Sequence, residues 1–259
     1  MINGTRSSGL VPGTAICGPG NQRTPIGAPT QLAAAIRSSS VRRSAHPVIV
    51  FDLDGTLSDP LEGIGRSINH ALARYGYAER PLDALADCIG PPLDESFPLL
   101  TGSSDAAHVR ALVASYRERY ADIGFAENTL YDGVPEMLDS LRDSGAVLGV
   151  CTSKLPIFAE RILVHFGLRD RFTFVSGGDI GMHKWQQLAA LRTQGRVDGD
   201  AVMVGDRAID IDAARRNGLH ACGVTWGFGS LDELKSAAPR YLCTKPPEIV
   251  ERLTIRADT

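Results

Sequence analysis

Short apolar runs alternate with amphipathic stretches along most of this chain. The apolar runs, too short for helices, cover residues 48–51, 146–151, 172–176, 201–204 and 219–224. Such runs are typical of strands that are buried on both faces of a parallel sheet. The stretches between them place apolar residues at helical spacing, as in 134–143, 157–166 and 185–192. Strands that alternate with helices predict βαβ units, and therefore an α/β fold with a parallel sheet.

One interval interrupts this alternation. Residues 59–131 carry helical periodicity without a strand pattern, with helices predicted at 61–75, 81–89 and 105–123. We therefore expect a helical domain over 59–131, inserted into a sheet domain formed by 47–58 and 132–259. A chain of 259 residues with 43% hydrophobic content is long enough for one large core and a smaller accessory domain.

Residues 1–46 differ from the rest in composition. They contain five arginines and no acidic residue, so their formal charge is +5. The whole chain has a formal net charge of −3, so the remaining residues carry −8. Gly, Pro, Ser and Thr are abundant there, and such a stretch buries too little apolar surface to order itself. We expect a disordered tail. An organelle transit peptide and a misassigned start of translation are the alternatives.

Charge and cysteine usage exclude several functional classes. An acidic body without a basic stripe argues against a nucleic-acid duplex as partner. The five cysteines are scattered and lack Cys-x-x-Cys spacing, which argues against a disulfide framework or a zinc site and favours a cytoplasmic location. No apolar run approaches the roughly 18 residues needed to cross a membrane.

The first predicted strand ends in two acidic residues, Asp52 and Asp54, followed by Gly55. Ligands of open α/β sheets bind at the carboxyl ends of the strands. In an extended strand both aspartates share one face, and two close carboxylates repel each other unless a cation lies between them or one is protonated. The pair suits a divalent metal together with nucleophilic and acid/base chemistry. Alternatively, it is a polar strand end that caps the next turn.

Two further polar side chains follow predicted strands. Thr152 ends the second apolar run, where its hydroxyl could donate to a phosphoryl oxygen or cap the following helix. Lys184 directly precedes the helix predicted at 185–192 and could neutralise both a nucleophile and a transferring phosphoryl group. A solvated surface position for Lys184, with Lys154 in that role instead, is the alternative.

Asp206 and Asp210 follow the run 201–204 and lie one helical turn apart. Beside Asp52, these carboxylates could complete an oxygen-rich site of the kind that Mg²⁺ prefers. The alternative is that they cap and solubilise the helix that follows.

The segment DLDGTL at 52–57 resembles motif I of the haloacid dehalogenase superfamily, and Thr152, Lys184 and the pattern GDxxxD at 205–210 resemble motifs II to IV in the correct order. This resemblance implies a Rossmann-like parallel-sheet core with an inserted α-helical C1 cap. It also implies Mg²⁺-dependent phosphomonoester hydrolysis, with Asp52 as nucleophile and Asp54 as general acid/base. Thr152 and Lys184 would complete the catalytic set, and Asp52, Asp54, Asp206 and Asp210 would hold the metal.

The branch that it resembles is the phosphoglycolate phosphatase-like or 5'-nucleotidase-like one. There, a loop like 90–97 faces the active site, so we expect Gly90 and Pro91, together with Thr56 and Ser153, to contact the substrate. Alternatively, the prolines of this loop only separate two helices. The expected substrate is a small phosphorylated metabolite, such as phosphoglycolate or a nucleoside 5'-monophosphate. A sugar phosphomutase and a non-catalytic scaffold that binds a partner are the alternatives.

Overall fold

The computed structural model describes residues 42–179 and 181–256. Its strands are β1 (Arg42–Ser44), β2 (Val48–Phe51), β3 (Ser58–Asp59), β4 (Thr129–Leu130), β5 (Val147–Thr152), β6 (Phe174–Gly177), β7 (Val202–Gly205), β8 (His220–Val224), β9 (Tyr241–Cys243) and β10 (Thr254–Arg256). Its α-helices are α1 (Leu61–Arg74), α2 (Leu93–Thr101), α3 (Ala106–Asp122), α4 (Val134–Asp143), α5 (Pro156–His165), α6 (Lys184–Thr193), α7 (Ala208–Arg216), α8 (Leu231–Ala237) and α9 (Pro246–Leu253).

The central sheet has six strands in the order β6-β5-β2-β7-β8-β9, and all its pairings are parallel. This confirms the predicted α/β class. The chain fills one side of β2 with β5 and β6 and then crosses to the other side with β7, β8 and β9. Crossovers that leave in opposite directions open a crevice at the strands' carboxyl ends. The end of β2 is therefore where a ligand site is expected.

Alternating side chains of β2 belong to two hydrophobic cores, one on each face of the sheet. Ile49 and Phe51 belong to a cluster with apolar residues of α4, α5 and α9, whereas Val50 belongs to a cluster with residues of α6, α7 and α8. All three β2 side chains are fully buried. This double burial explains why β2 is apolar at every position, and it anchors the strand that carries Asp52.

The helices between β3 and β4 bury a third cluster, which includes Ile68, Leu72, Phe97 and Leu112 and is joined by Phe158 of α5. We call residues 59–131 the cap, after the predicted domain. β3 and β4 pair antiparallel where the chain enters and leaves this segment. The loop expected at 90–97 is shorter than predicted, because α2 begins at Leu93, directly after the extended Pro92.

The two ends of the described chain lie together. β1 pairs antiparallel with β10, so the described residues include a strand before residue 47. The rest of the predicted tail, residues 1–41, lies outside the described residues. Within the described ranges, no helix combines the length and apolar character needed to cross a membrane.

Candidate active site

Asp52 and Asp54 lie where β2 ends and the chain turns at Gly55. The Asp52 backbone N–H still donates to Val204 O at 2.9 Å, so its position is fixed by pairing with β7. The Leu53 N–H donates to Asp52 Oδ1 at 2.8 Å. Gly55 has φ +79°, a conformation that side-chain-bearing residues rarely adopt. The strand end and this turn together hold both carboxylates at the carboxyl edge of the sheet.

Each of the two aspartates forms an ion pair with a different lysine. The Lys184 ammonium lies 2.8 Å from Asp52 Oδ2 and also donates to Asp210 Oδ1. The Lys154 ammonium lies 2.8 Å from Asp54 Oδ2. The two lysines that the sequence offers as catalytic candidates therefore both reach the site, in different positions. Lys184 is on the side of the three clustered carboxylates, and Lys154 is on the side of Asp54.

Burial shifts the ionisation of these groups. Burial alone would lower the pKa of Lys184, but attraction from Asp210 and Asp52 outweighs it and raises that pKa above its usual value. Burial raises the pKa of the Asp54 carboxyl, and the charge of Lys154 opposes this rise. Lys184 is therefore a permanent cation, whereas Asp54 is a carboxyl whose proton is held more firmly than that of an exposed aspartate.

Asp206 and Asp210 meet Asp52 at the end of β7. One carboxylate oxygen from each of the three residues lies within 4.8 Å of the others. Asp206 accepts hydrogen bonds from Thr56 Oγ1 at 3.2 Å and from the Phe228 N–H at 2.8 Å. Asp210 Oδ2 accepts one from the Arg207 N–H at 3.1 Å. These contacts orient the three carboxylates toward one common point.

The charge of this cluster fits a divalent cation. When all three carboxylates are ionised they carry −3 and Lys184 carries +1, so −2 remains in a site where each of the four side chains is at most 5% exposed. Burial, followed by repulsion from Asp210 and Asp52, raises the pKa of Asp206. Burial and repulsion from Asp52 also raise that of Asp210, although Lys184 opposes the shift. A bound metal ion would remove this repulsion.

Asp54, which the resemblance implies as a fourth metal ligand, is not part of the acidic cluster. Lys154 holds its Oδ2, and its Oδ1 is buried and receives no hydrogen bond from the described residues. A buried carboxylate oxygen without a donor is costly. This position is therefore suited to a proton or to a donor group on a bound ligand.

Asp206 is also surrounded by backbone that comes from a distant loop. A Cβ on Gly227 would lie 2.2 Å from Gly55 O and 2.4 Å from Asp206 Oδ2, so only glycine fits. Trp226 Nε1 donates to Thr56 O at 3.0 Å, which ties this loop to the turn after β2. Reasoning from the sequence does not place this loop at the site. The glycine pattern WGFG is the signal of a close backbone approach that could have found it.

The remaining predicted site residues have different surroundings. Thr152 is the last residue of β5 and is 2% exposed, and its Oγ1 accepts from the Lys154 N–H at 3.3 Å. Thr56 is fully buried and supports Asp206. Ser153 lines a cleft between the cap and the sheet edge. Gly90 and Pro91 do not line this cleft: Gly90 lies against Arg207, and Pro91 lines a neighbouring groove.

That cleft, which we call the leaving-group cleft, opens beside Asp54. It is lined by Asp54, Pro92, Leu93, Asp94, Tyr116, Arg117, Tyr120, Ser153, Lys154, Leu155, Phe158, Asp179 and Met182. The residues of its cap wall come from the first turn of α2 and from α3. A phosphoryl group bound near Asp52 would therefore have its ester substituent between cap and core.

Comparison with known proteins agrees with this fold and site. Residues 49–224 match the family model described as haloacid dehalogenase-like hydrolase. A 5'-nucleotidase of Pseudomonas aeruginosa is 42% identical over 202 residues, covering 76% of this chain and 91% of that protein. A protein of Mycobacterium tuberculosis named tyrosine-protein kinase PtkA is 37% identical over 206 residues, covering 74% of this chain and 68% of that protein.

A solved structure supports the same assignment. The crystal structure of a predicted phosphatase from Clostridium acetobutylicum is similar to this chain with a TM-score of 0.75 and 34% sequence identity, covering 80% of this chain and 97% of that one. The match to the family model spans both the sheet strands up to β8 and the cap. The chain therefore belongs to the haloacid dehalogenase-like hydrolases, as a phosphoric monoester hydrolase of that family.

Proposed function

We propose that this protein hydrolyses a small phosphomonoester in a Mg²⁺-dependent reaction that proceeds through an aspartyl-phosphate on Asp52. The observation that carries the proposal is the arrangement of charges at the end of β2. Asp52 lies in a buried acidic cluster with a residual charge of −2, and Asp54, two residues away, lies outside that cluster. This difference in surroundings supports a nucleophilic role for Asp52 and a proton-transferring role for Asp54.

In the first step, an Asp52 carboxylate oxygen attacks phosphorus, and the bond from phosphorus to the ester oxygen breaks. The Asp54 carboxyl gives its proton to the departing alkoxide, so that a neutral alcohol leaves. In the second step, Asp54 takes a proton from water while the water oxygen attacks phosphorus. Inorganic phosphate leaves, and the Asp52 carboxylate is restored with Asp54 protonated again.

Lys184 and Thr152 would support both steps. The permanent charge of Lys184, 2.8 Å from Asp52 Oδ2, would offset negative charge on the nucleophile and on the phosphoryl oxygens. The Thr152 hydroxyl, at the end of the neighbouring strand β5, would donate to a phosphoryl oxygen. Mg²⁺, held by Asp52, Asp206 and Asp210, would supply charge neutralisation for the phosphoryl group when it is bound.

Phosphate release from p-nitrophenyl phosphate tests this proposal. We expect turnover by the full chain with Mg²⁺ and none with EDTA. Asp52→Asn should lower kcat by at least about 10³-fold, since it removes the nucleophile. Asp212→Asn is the matched control, because Asp212 lies on α7 with its side chain 43% exposed and paired with Arg215. Trapping of acid-stable, hydroxylamine-sensitive phosphate on the wild-type protein, but not on Asp52→Asn, would identify the intermediate.

Two outcomes would contradict the proposal. Equal turnover by wild type and Asp52→Asn would show that Asp52 is not the nucleophile. Absence of turnover for every phosphomonoester, combined with phosphate transfer from ATP to a tyrosine peptide, would instead favour the activity that the name of the mycobacterial relative states.

A further inference from the structure

Gln187 is a buried polar side chain that the proposed reaction does not use. It lies on α6, one helical turn after Lys184, so the two side chains are neighbours on the surface of that helix. Gln187 is only 3% exposed. Burial of an amide is costly unless its hydrogen-bonding atoms are paired. The partners of this amide therefore indicate what it does.

Both ends of the Gln187 amide are paired near the carboxyl ends of two strands. Its Oε1 accepts from Ser176 Oγ of β6 at 3.1 Å and from the Cys151 thiol of β5 at 3.7 Å. Its Nε2 donates to the Thr152 carbonyl at 3.2 Å. A carbonyl oxygen can only accept, so the amide nitrogen must be the end that faces Thr152. The amide thus joins α6 to the ends of β5 and β6.

The end of β5 needs such a contact, because strand pairing holds it on one side only. β5 pairs with β2 as far as Val150, which lies opposite Phe51, and its last two residues pair with β6 alone. A buried backbone carbonyl needs a hydrogen-bond partner. Gln187 supplies that partner for Thr152, at the point where the chain leaves the sheet.

Neighbouring groups restrict the position of the amide. A Cβ on Gly178 would lie 2.9 Å from Gln187 Nε2 and 3.0 Å from Ser153 O, so the loop after β6 packs directly against it. On the same helix, Leu188 belongs to the hydrophobic cluster that includes Cys151 of β5. The position of Gln187 relative to β5 is therefore set by packing as well as by hydrogen bonds.

We infer that Gln187 is a positioning residue, which holds the Thr152 hydroxyl in a fixed position relative to Lys184 so that both can contact one phosphoryl group. This inference rests on the proposed function, since it concerns the role given there to Thr152. Lys184 lies 2.8 Å from Asp52 Oδ2, and Gln187 binds Thr152 from the same helix. One helix thus sets the positions of both groups. A displacement of about 1 Å at a reacting centre can cost about 10²-fold in rate.

Gln187→Met tests this role, because methionine has a similar volume and lacks both the donor and the acceptor of the amide. The assay measures kcat and KM for p-nitrophenyl phosphate, using the full chain with Mg²⁺. We expect kcat and kcat/KM both to fall by about tenfold while KM stays within about twofold, since the hydroxyl acts mainly in the transition state. Gln187→Asn is too short to reach the Thr152 carbonyl, so it should give the same pattern and serves as a second variant.

The Mg²⁺ requirement separates this role from damage to the whole site. The side-chain hydrogen bonds of Gln187 go to β5 and β6 and to none of the three clustered aspartates. The Mg²⁺ concentration for half-maximal activity should therefore stay within about twofold of the wild-type value. A shift of α6 as a whole would instead move Lys184, which contacts two of those aspartates.

A double-mutant cycle with Thr152→Val shows whether Gln187 acts through the hydroxyl. Valine keeps the branched shape of threonine, and its loss of the hydroxyl alone should lower kcat by about 10²-fold. In the Thr152→Val background, Gln187→Met should lower kcat by less than about twofold, because the group that it positions is already absent.

Gln194→Met is the matched control variant. It makes the same chemical change directly after the last residue of α6, where Gln194 is exposed. It should keep the wild-type kcat and KM. The melting temperature of every variant, measured by differential scanning fluorimetry, establishes that the kinetics are those of folded protein.

Three results would overturn the inference. They are an unchanged kcat in both Gln187 variants, a loss of kcat in Gln187→Met that is equal in the wild-type and Thr152→Val backgrounds, and a large increase in the Mg²⁺ requirement. In each case wild type would still hydrolyse p-nitrophenyl phosphate. If wild type does not hydrolyse that compound, the error lies in the proposed function instead.

Discussion

Replacement of Lys154 by Met tests whether Lys154 controls the pKa of Asp54, the proposed general acid/base. The Lys154 ammonium lies 2.8 Å from Asp54 Oδ2 and donates to the Tyr120 hydroxyl at 2.7 Å. The side chains of Lys154 and Asp54 are only 6% and 11% exposed, so solvent screens their attraction weakly. Burial raises the pKa of Asp54, and Lys154 opposes that rise. Without the ammonium group, the pKa of Asp54 should therefore increase further.

The expected size follows from this geometry. An opposite charge in direct contact usually moves the pKa of a carboxyl by about 1 to 3 pH units. Asp54 must be unprotonated to accept a proton from water in the second step. The acidic limb of the kcat profile for p-nitrophenyl phosphate should thus move to higher pH by about 1 to 3 pH units in Lys154→Met. Below that limb, rapid quenching should show a burst of p-nitrophenol, because the first step still has its acid.

Lys235→Met provides the control, since Lys235 is an exposed residue of α8 and its replacement should leave the profile unchanged. An acidic limb in Lys154→Met that coincides with the wild-type limb, or lies at lower pH, would refute the reasoning. Lys154 would then not govern the ionisation of Asp54, and its contact with Tyr120 would be structural only.

Three further predictions concern the metal cluster, the glycine loop and the cap. Asp206→Asn should raise the melting temperature in EDTA by relieving buried repulsion, yet abolish the stabilisation by Mg²⁺ expected for wild type; differential scanning calorimetry measures both. Gly227→Ala should lower kcat at least about tenfold, because its Cβ would lie 2.2 Å from Gly55 O; unchanged phosphate release would contradict this. Arg119→Met should lower the free energy of unfolding by about 1 kcal/mol at pH 7. Arg119 lowers the pKa of Glu127, so this stabilisation is fully present above the pKa that Glu127 has in the unfolded chain, and it is lost as pH falls through the lower pKa of the folded state. The urea midpoints of variant and wild type should therefore converge as pH falls through that range.

The parallel sheet could be predicted from the sequence because its strands are buried on both faces. Each strand then needs a continuous apolar run, which is a strong local signal, as in β2 and β7. The short pairings β1–β10 and β3–β4 contain only two or three residues per strand, so they leave no periodic signal. The start of α2 at Leu93 was missed because two prolines precede it, although an extended proline commonly precedes a helix.

The acidic cluster and Lys184 could be predicted because parallel strands bring their carboxyl ends to one edge of the sheet. The contacts made by cap residues could not be predicted from the sequence. The hydrogen bond from Lys154 to Tyr120 joins residues 34 positions apart, and the close approach of Gly227 to Gly55 joins residues far apart in the chain. Such contacts depend on how separate elements pack together, and a local pattern does not encode that packing.

The two lysines give the two aspartates different electrostatic surroundings, which supports the different roles proposed for them. Lys184 joins a cluster of three carboxylates and leaves it with an excess charge of −2, which attracts a divalent cation to Asp52. Lys154 instead neutralises Asp54 alone, so no excess charge there attracts a metal. In the proposed reaction, this difference in charge would direct a metal ion to Asp52 and away from Asp54. Because Lys154 also contacts Tyr120 of the cap, the state of that carboxyl depends on the position of the same helix that lines the leaving-group cleft.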